Sequence, residues 1–533
     1  MVKQHLARAA GRIEVGFSLL FLALGFGLRA YQLPDQILAD DEWHALHALL
    51  AAGYGEIATH FGGADHSIPL TLLFKLMLDT IGLSEWLMRL PSFLTGIAAP
   101  LLLPYVVGGR LRPIDRRCFV MLLSISALLI YFSRIARPYA LVALLSFVGI
   151  VAFDRFWRTD ERRWALGYVL AVAAAGYLHP VSLCFGLAPL GYAALRLLLL
   201  RGRQEDWRRW LALCGATGLA LLLLLGPPLY VDAAALAQKS GVDASTWYAL
   251  SGGLHLWVGS GSRVLVGLLV GLAAWGAVRS WRAQREWLVY CSFCSGCLIV
   301  AVLLSFAAHL SEPIVVARYM LPALPVFSML AATGLGELAG RFDHPVPRYG
   351  LPVALGAALV LTGPIPEQLR YPNQFSGHMV SHFDYRRELN SYRELRPARV
   401  PEFYTMLGRE EPGSRTLIET PWRYEWDYNV LGFYQETHRQ RIKIGFLGEL
   451  CGYPTRGEYP DDATGMAFRG FVPLSRVLAA GPSAGDYVVF HLAPPWPPGL
   501  PVPPIDRCVE RFRSALGAPV FEDGEIVVFA LGR

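Results

Sequence analysis

Charge is scarce in this chain. Only 17% of its 533 residues are Asp, Glu, Lys or Arg, where soluble domains carry about a quarter. That deficit and a mean hydropathy of +0.38 argue against an ordinary water-soluble enzyme and for lipid as the solvent. Lysine is nearly missing, occurring only at Lys3, Lys75, Lys239 and Lys443. The net charge of +6 therefore rests on arginine, in short groups between apolar runs. Such spacing suits membrane orientation and makes nucleic acid an unsuitable partner. The arginine bias is the mark of a GC-rich genome and points to a bacterium. The eight cysteines have no metal-ligand spacing: Cys291, Cys294 and Cys297 share an apolar helical stripe and read as small buried side chains. No glycine-rich phosphate loop and no internal repeat is found. The first apolar run is too long for a cleaved signal peptide and lacks a small-x-small exit, so it reads as a retained span.

What the chain has instead is apolar windows of membrane-crossing length, which for a helix is roughly 20 residues. They fall at about 15–33, 86–108, 118–133, 138–156, 164–179 and 181–199, then 210–229, 263–280, 286–308, 318–339 and 349–366. Between them stand arginine groups at 110–117, 155–163, 201–209, 279–285 and 341–348. Each lies where a chain with a cytoplasmic N-terminus returns to the cytoplasm, and about eleven crossings put the C-terminus outside. Ser67 to Leu83 is apolar, short and carries Lys75 and Asp79; it is expected as an amphipathic helix lying in the outer interface. Residues 41–52 read as a second such helix, so the first outside loop runs over 34–85.

After residue 366 the long apolar runs stop. Strands are expected at Arg415 to Glu419, Arg441 to Phe446, Tyr487 to Leu492 and Glu525 to Leu531. Helices are expected at Tyr424 to Glu436 and Asp506 to Leu516, and Pro494 to Pro504 is a loop. The expected organisation is a polytopic α-helical domain over 1–366 and a small soluble α/β domain over 367–533 on the periplasmic side. Cys451 and Cys508 lie in the latter and could pair in an oxidising compartment.

Five sets of chemistry-bearing residues fall on the outer side. Asp40-Asp41-Glu42 follows the first span, and adjacent carboxylates there suit general-base work or a divalent cation. A solvated helix start explains acidic pairs as well. His44 and His47, three residues apart, share a face, though interface polarity accounts for them. Ser133-Arg134-Ile135-Ala136-Arg137-Pro138-Tyr139 places two arginines against the positive-inside trend, where an anionic partner such as phosphate is expected. Snorkelling is the plainer reading, and the pair of arginines beside a Pro-Tyr turn favours function. Tyr177-Leu178-His179-Pro180, Arg318-Tyr319 and the Asp65-His66…Pro69 segment complete the set.

With these residues in view, the chain resembles the GT-C glycosyltransferases, in the branch of protein O-mannosyltransferases and lipid A aminoarabinose transferases. The resemblance rests on Asp41-Glu42, on Gly82-Leu83-Ser84-Glu85-Trp86 with Arg89-Leu90-Pro91-Ser92, on the Ser-Arg…Ala-Arg-Pro-Tyr turn, and on Arg318-Tyr319…Pro322. It covers about 1–340. It implies a GT-C fold and transfer of a sugar from a polyprenyl-phosphate donor to an envelope glycolipid, glycan or protein at the periplasmic face of the inner membrane. Asp41 and Glu42 would be the catalytic pair. Arg134, Arg137, Tyr139, Arg318 and Tyr319 would meet the donor phosphate, and His66 and His179 the substrate. Need for a metal is left open. In the aminoarabinose branch an acidic residue stands in the turn that here reads Ala136-Arg137-Pro138, which argues against aminoarabinose as the donor sugar. Two other readings stand beside this one: a lipid-diphosphate-dependent glycan polymerase or ligase, and a transporter or flippase. The spans are largely free of acids, which disfavours an ion path.

Overall fold

The computed structural model describes residues 2–31, 33–35, 42, 45–46, 48–49, 52–61, 67–238, 244–304, 310–366, 399–421, 434, 437–451, 471–493 and 504–532. It is a multi-pass membrane protein with a small α/β part at its C-terminal side. The helices are α1 (Val2–Ala30), α2 (Tyr54–Thr59), α3 (Ile68–Ile81), α4 (Glu85–Val106), α5 (Pro113–Ile125), α6 (Ala127–Ser133), α7 (Tyr139–Thr159) and α8 (Arg162–Leu178). After a turn at Leu183–Gly186 come α9 (Ala188–Leu199), α10 (Gln204–Gln238), α11 (Trp247–Val258), α12 (Arg263–Leu304), α13 (Pro313–Tyr319), α14 (Leu324–Ala339) and α15 (Pro345–Thr362).

Among the described residues, seven helices are long and apolar enough to cross a membrane, or eight if α5 and α6, bent by 54°, form one broken span. The sequence expectation of about eleven differs for identifiable reasons. The run α12 kinks at Gln284 (φ −151°, ψ 54°) and holds two helices, one on each side of the kink, where spans are expected at 263–280 and 286–308. Helix α8 has 17 residues, and α15 opens with Pro-Val-Pro-Arg, which dilutes its apolar content. Helix α3 has 14 residues, about 21 Å of rise, too short for a hydrocarbon core of about 30 Å. Its Lys75 and Asp79 pair at 3.6 Å along one face. Of the helix expected over 41–52, residues 42, 45–46, 48–49 and 52 are described, and 45–46 and 48–49 are α-helical.

One end of the bundle is tied by arginine–carboxylate pairs. Arg117 reaches Glu14 at 2.6 Å, Arg110 reaches Asp154 at 2.8 Å, Arg112 bridges Asp115 (2.8 Å) and Glu337 (2.7 Å), and Arg209 meets Asp160 at 2.7 Å. The arginine groups that the sequence separates along the chain thus gather at one end, and each acid embedded there has a cation beside it. Closest packing occurs between α12 and α14. A Cβ on Gly276 would sit 1.9 Å from the Leu330 carbonyl oxygen, and one on Gly334 would sit 1.9 Å from that of Leu272. Small residues bring helix backbones together where apolar burial gives no drive for association in lipid.

The C-terminal part is a six-stranded mixed sheet, β1 (Thr416–Thr420), β2 (Arg441–Phe446), β3 (Phe471–Pro473), β4 (Tyr487–His491), β5 (Phe521–Glu522) and β6 (Ile526–Ala530), in the order β3-β2-β1-β4-β6-β5. The first four run parallel, and β6 is antiparallel to β4 and β5. Helices α16 (Glu402–Leu407), α17 (Leu474–Ala480) and α18 (Ile505–Leu516) accompany it. The expected strand at Arg415 to Glu419 is displaced by one residue, and most of the helix expected at Tyr424 to Glu436 lies outside the described residues. Cys451 and Cys508 form a disulfide, 57 residues apart in sequence with Cα atoms 5.2 Å apart. A single apolar cluster runs from Leu46, Leu49 and Phe74, between α1 and α4, into Tyr404, Leu417 and Ile526 of this part, so the sheet is seated on the segment that carries the acidic motif.

Candidate active site

The site lies at the end of the bundle opposite the arginine–carboxylate pairs. Helix α7 shows the separation: Tyr139 begins it and Asp154 lies in its last turns, and its 21 residues rise about 31 Å.

Its framework is the turn 134–138 between α6 and α7, held from three directions. The Glu42 carboxylate accepts the backbone N–H of Ala136 at 2.7 Å. The same carboxylate takes two bonds from Arg89 of α4, Nε to Oε1 at 2.9 Å and Nη2 to Oε2 at 2.7 Å. Both side chains are buried, with 1% and 0% exposure. Ser92, one turn along α4 from Arg89, donates to the Arg137 carbonyl at 2.8 Å. Arg134 sends Nη1 to the carbonyls of Leu28 (3.1 Å), Arg29 (3.2 Å) and Tyr31 (2.8 Å) at the C-terminal end of α1. These are the carbonyls a helix end leaves without intrahelical partners. Below it, the break between α5 and α6 frees the carbonyls of Leu123 and Ser124, and buried Arg29 donates to both, at 3.2 and 2.8 Å.

The framework presents Arg137 and Tyr139 to a cluster drawn from distant parts of the chain. The Arg137 guanidinium lies over the Tyr139 ring at 5.7 Å, with Nη2 3.4 Å from its hydroxyl. The Tyr139 ring is 5.5 Å from that of His179, and His179 is 5.4 Å from Tyr319. Arg318 closes the group, 5.5 Å above Tyr139 and 5.3 Å from Tyr319. His179, Arg318 and Tyr319 are only partly buried. Two guanidinium groups around aromatic rings, partly open to the outside, form a site suited to a phosphate with an adjoining ring or chain.

Of the residues expected from sequence, Arg137, Tyr139, His179, Arg318 and Tyr319 come together. Arg134 and Glu42 stand behind them, with hydrogen bonds that fix the backbone of the site. Asp41 and His66 lie outside the described residues, as do Asp40, His44 and His47. Of the described residues next to them, Glu42 bonds Ala136, and Ser67 donates to the Leu178 carbonyl at 3.1 Å, next to His179. Arg89, Ser92 and Arg29 were not singled out as site residues by sequence. An arginine within an apolar window is a signal that could have found Arg89 and Arg29. Among the described residues no group of three or more His, Cys, Asp or Glu side chains is arranged to hold a metal ion.

No protein-family model matches the chain, and no curated protein matches it. Among solved structures it is similar to ArnT from Cupriavidus metallidurans in the apo state, with a TM-score of 0.47 and 14% identity over 97% of this chain and 98% of that one. It is similar to the same protein bound to undecaprenyl phosphate, with a TM-score of 0.46 and 14% identity over the same shares. It is also similar to the archaeal oligosaccharyltransferase AglB from Archaeoglobus fulgidus in complex with an inhibitory peptide and a dolichol-phosphate. There the TM-score is 0.42 and the identity 10%, over 90% of this chain and 69% of that one.

Proposed function

We propose that this chain is a GT-C glycosyltransferase of the bacterial inner membrane. In this reading it moves a sugar from a polyprenyl-phosphate donor to an envelope acceptor at the periplasmic face, with its N-terminus in the cytoplasm and its α/β part outside. The observation that carries the reading is the meeting of Arg137 and Tyr139 with His179, Arg318 and Tyr319. These residues carry the motifs that resemble the family.

The chemistry follows from where each group lies. A lipid-linked donor keeps its tail in the bilayer, so the reacting carbon must sit at the interface. Arg137 and Arg318 stabilise the departing phosphate, whose negative charge grows as the glycosidic C–O bond breaks. Tyr139 and Tyr319 hold those guanidinium groups in place. Asp41 takes the acceptor hydroxyl's proton as that oxygen attacks the face opposite the phosphate, which inverts the anomeric centre. Support for Asp41 comes from its neighbour Glu42, whose carboxylate is anchored to the turn that carries Arg137. Glu42 itself is a positioning residue in this scheme.

The test is transfer from a polyprenyl-phosphate sugar by the purified protein, after mass spectrometry of lipids and envelope glycans with and without the gene has identified the sugar. Asp41→Asn should lower turnover by about 10²–10⁴, the usual worth of general-base assistance, and Arg137→Ala should instead weaken donor use. Asp40→Asn should matter less. Near-normal transfer by Asp41→Asn would end the catalytic assignment, and its loss in Asp40→Asn alone would move the assignment by one residue.

A further inference from the structure

A cavity of about 560 Å³ opens at the other, arginine-rich end of the bundle, between the last turns of α7 and α9 and the bend of α12. It shares no residue with the site above. Four arginines, Arg110, Arg158, Arg196 and Arg285, face two carboxylates, Asp154 and Glu286, leaving two positive charges in excess. The cations are not equally engaged. Asp154 takes Arg110 at 2.8 Å and Arg158 at 2.8 Å, while Arg110 also stacks on Trp287 at 4.4 Å and bonds Gln284. Those contacts build the floor. Arg196 meets Glu286 only at 3.4 Å, with the carboxylate side chain 81% exposed, a geometry worth little in water. Arg285 lies 4.4 Å over the Trp281 ring, and among the described residues no carboxylate is paired with it. The walls are aromatic: Trp157, stacked on Phe153 at 5.6 Å, and Tyr192, 5.4 Å from Tyr290.

We propose that this pocket binds a phosphate ester, and that its source is the headgroup of an anionic phospholipid of the adjoining leaflet. Arg196 and Arg285 would contact the phosphate oxygens, and the aromatic walls would take the glycerol and first methylenes. Basic pockets between membrane helices at headgroup depth have this selectivity. A bare phosphate would use the cations and leave the aromatic walls without a role. The bound lipid would brace α7, α9 and α12 where α12 bends, independently of what reaction the far end performs.

Native mass spectrometry of the full-length protein released from detergent tests this. Wild-type protein should retain adducts with the mass of phosphatidylglycerol or cardiolipin. The Arg196→Gln/Arg285→Gln variant should retain about tenfold less for each cation lost, which is about 1.4 kcal/mol per step. Arg341→Gln, whose arginine sits over Trp275 outside the pocket, should retain as much as wild type. In vesicles, adding phosphatidylglycerol to phosphatidylcholine should raise the melting temperature of wild type and not of the double variant, and Arg196→Lys/Arg285→Lys should recover part of the rise. Equal lipid retention by the double variant would overturn the proposal. So would displacement of the adduct by inorganic phosphate together with full stabilisation by inorganic phosphate alone, which would make the ligand a soluble one.

Discussion

At the scale of single residues, the proposed scheme gives Asp41 and Glu42 different work. Glu42 is buried with both carboxylate oxygens bonded to Arg89 and with Ala136 N–H on one of them. Glu42→Gln would leave a buried guanidinium without its counter-charge, a change that typically costs about 3–5 kcal/mol. Thermal unfolding should report that loss together with reduced transfer, whereas Asp41→Asn should lose transfer and keep its melting temperature. A Glu42→Gln protein as stable as wild type would remove the positioning role. His438, in the α/β part, offers a second residue-level expectation. Burial lowers its pKa from the ordinary 6.5 to about 3, and its Nδ1 accepts the Gln440 N–H at 2.9 Å. The folded form therefore holds a neutral ring that the unfolded chain would protonate below pH 6.5. Stability is fully present above that pH and falls by about 1.4 kcal/mol per unit between pH 6.5 and 3. Hydrogen exchange of β2 against pH should show this slope, and His438→Gln should flatten it. An unchanged slope would assign the acid sensitivity to other groups.

Elements explain how these residues were legible and where they were not. Apolar windows and arginine groups marked the helices because both signals are local: a run of leucines needs no partner to be read. The strand expected at Arg441 to Phe446 matches β2 for the same reason, since its alternation is contained in six residues. Arg89 was read only as part of a motif, because its meaning depends on Glu42, 47 positions away. The bend between α5 and α6 was equally hidden, since Ser126 looks like any small residue until its side chain is seen accepting the Leu129 N–H at the start of α6. Two-residue β5 and three-residue β3 are too short to show a period. The contact between α12 and α14 yields the prediction at this scale. Gly334→Leu must push the two backbones apart, and overpacking of this kind costs about 1–3 kcal/mol or more. Gly296→Leu, with nothing within 4 Å of a built Cβ, should be neutral. Equal melting temperatures for the two variants would show that the helices have room to separate.

For the whole molecule, the decisive quantity is which side the α/β part occupies. The arginine groups gathered at one end predict that a reporter active only outside the cytoplasm, fused after residue 533, will be active. An inactive fusion in a stable, membrane-inserted protein would reverse the orientation. Mass spectrometry without reductant should find Cys451 and Cys508 joined. Closing a loop of this size stabilises a fold by about 4 kcal/mol in the chain-entropy account. The sequence distance between these two sulfurs also has a consequence in time. Synthesis runs at about 5–20 residues per second, so Cys451 is made roughly 3–11 s ahead of its mate. With the α/β part outside, as proposed, it would during that interval be a lone thiol in an oxidising space, open to capture by small disulfides or by another nascent chain. Correct maturation would then be a race between elongation and mispairing, and slower translation of the segment between the two cysteines should raise the share of mixed disulfides.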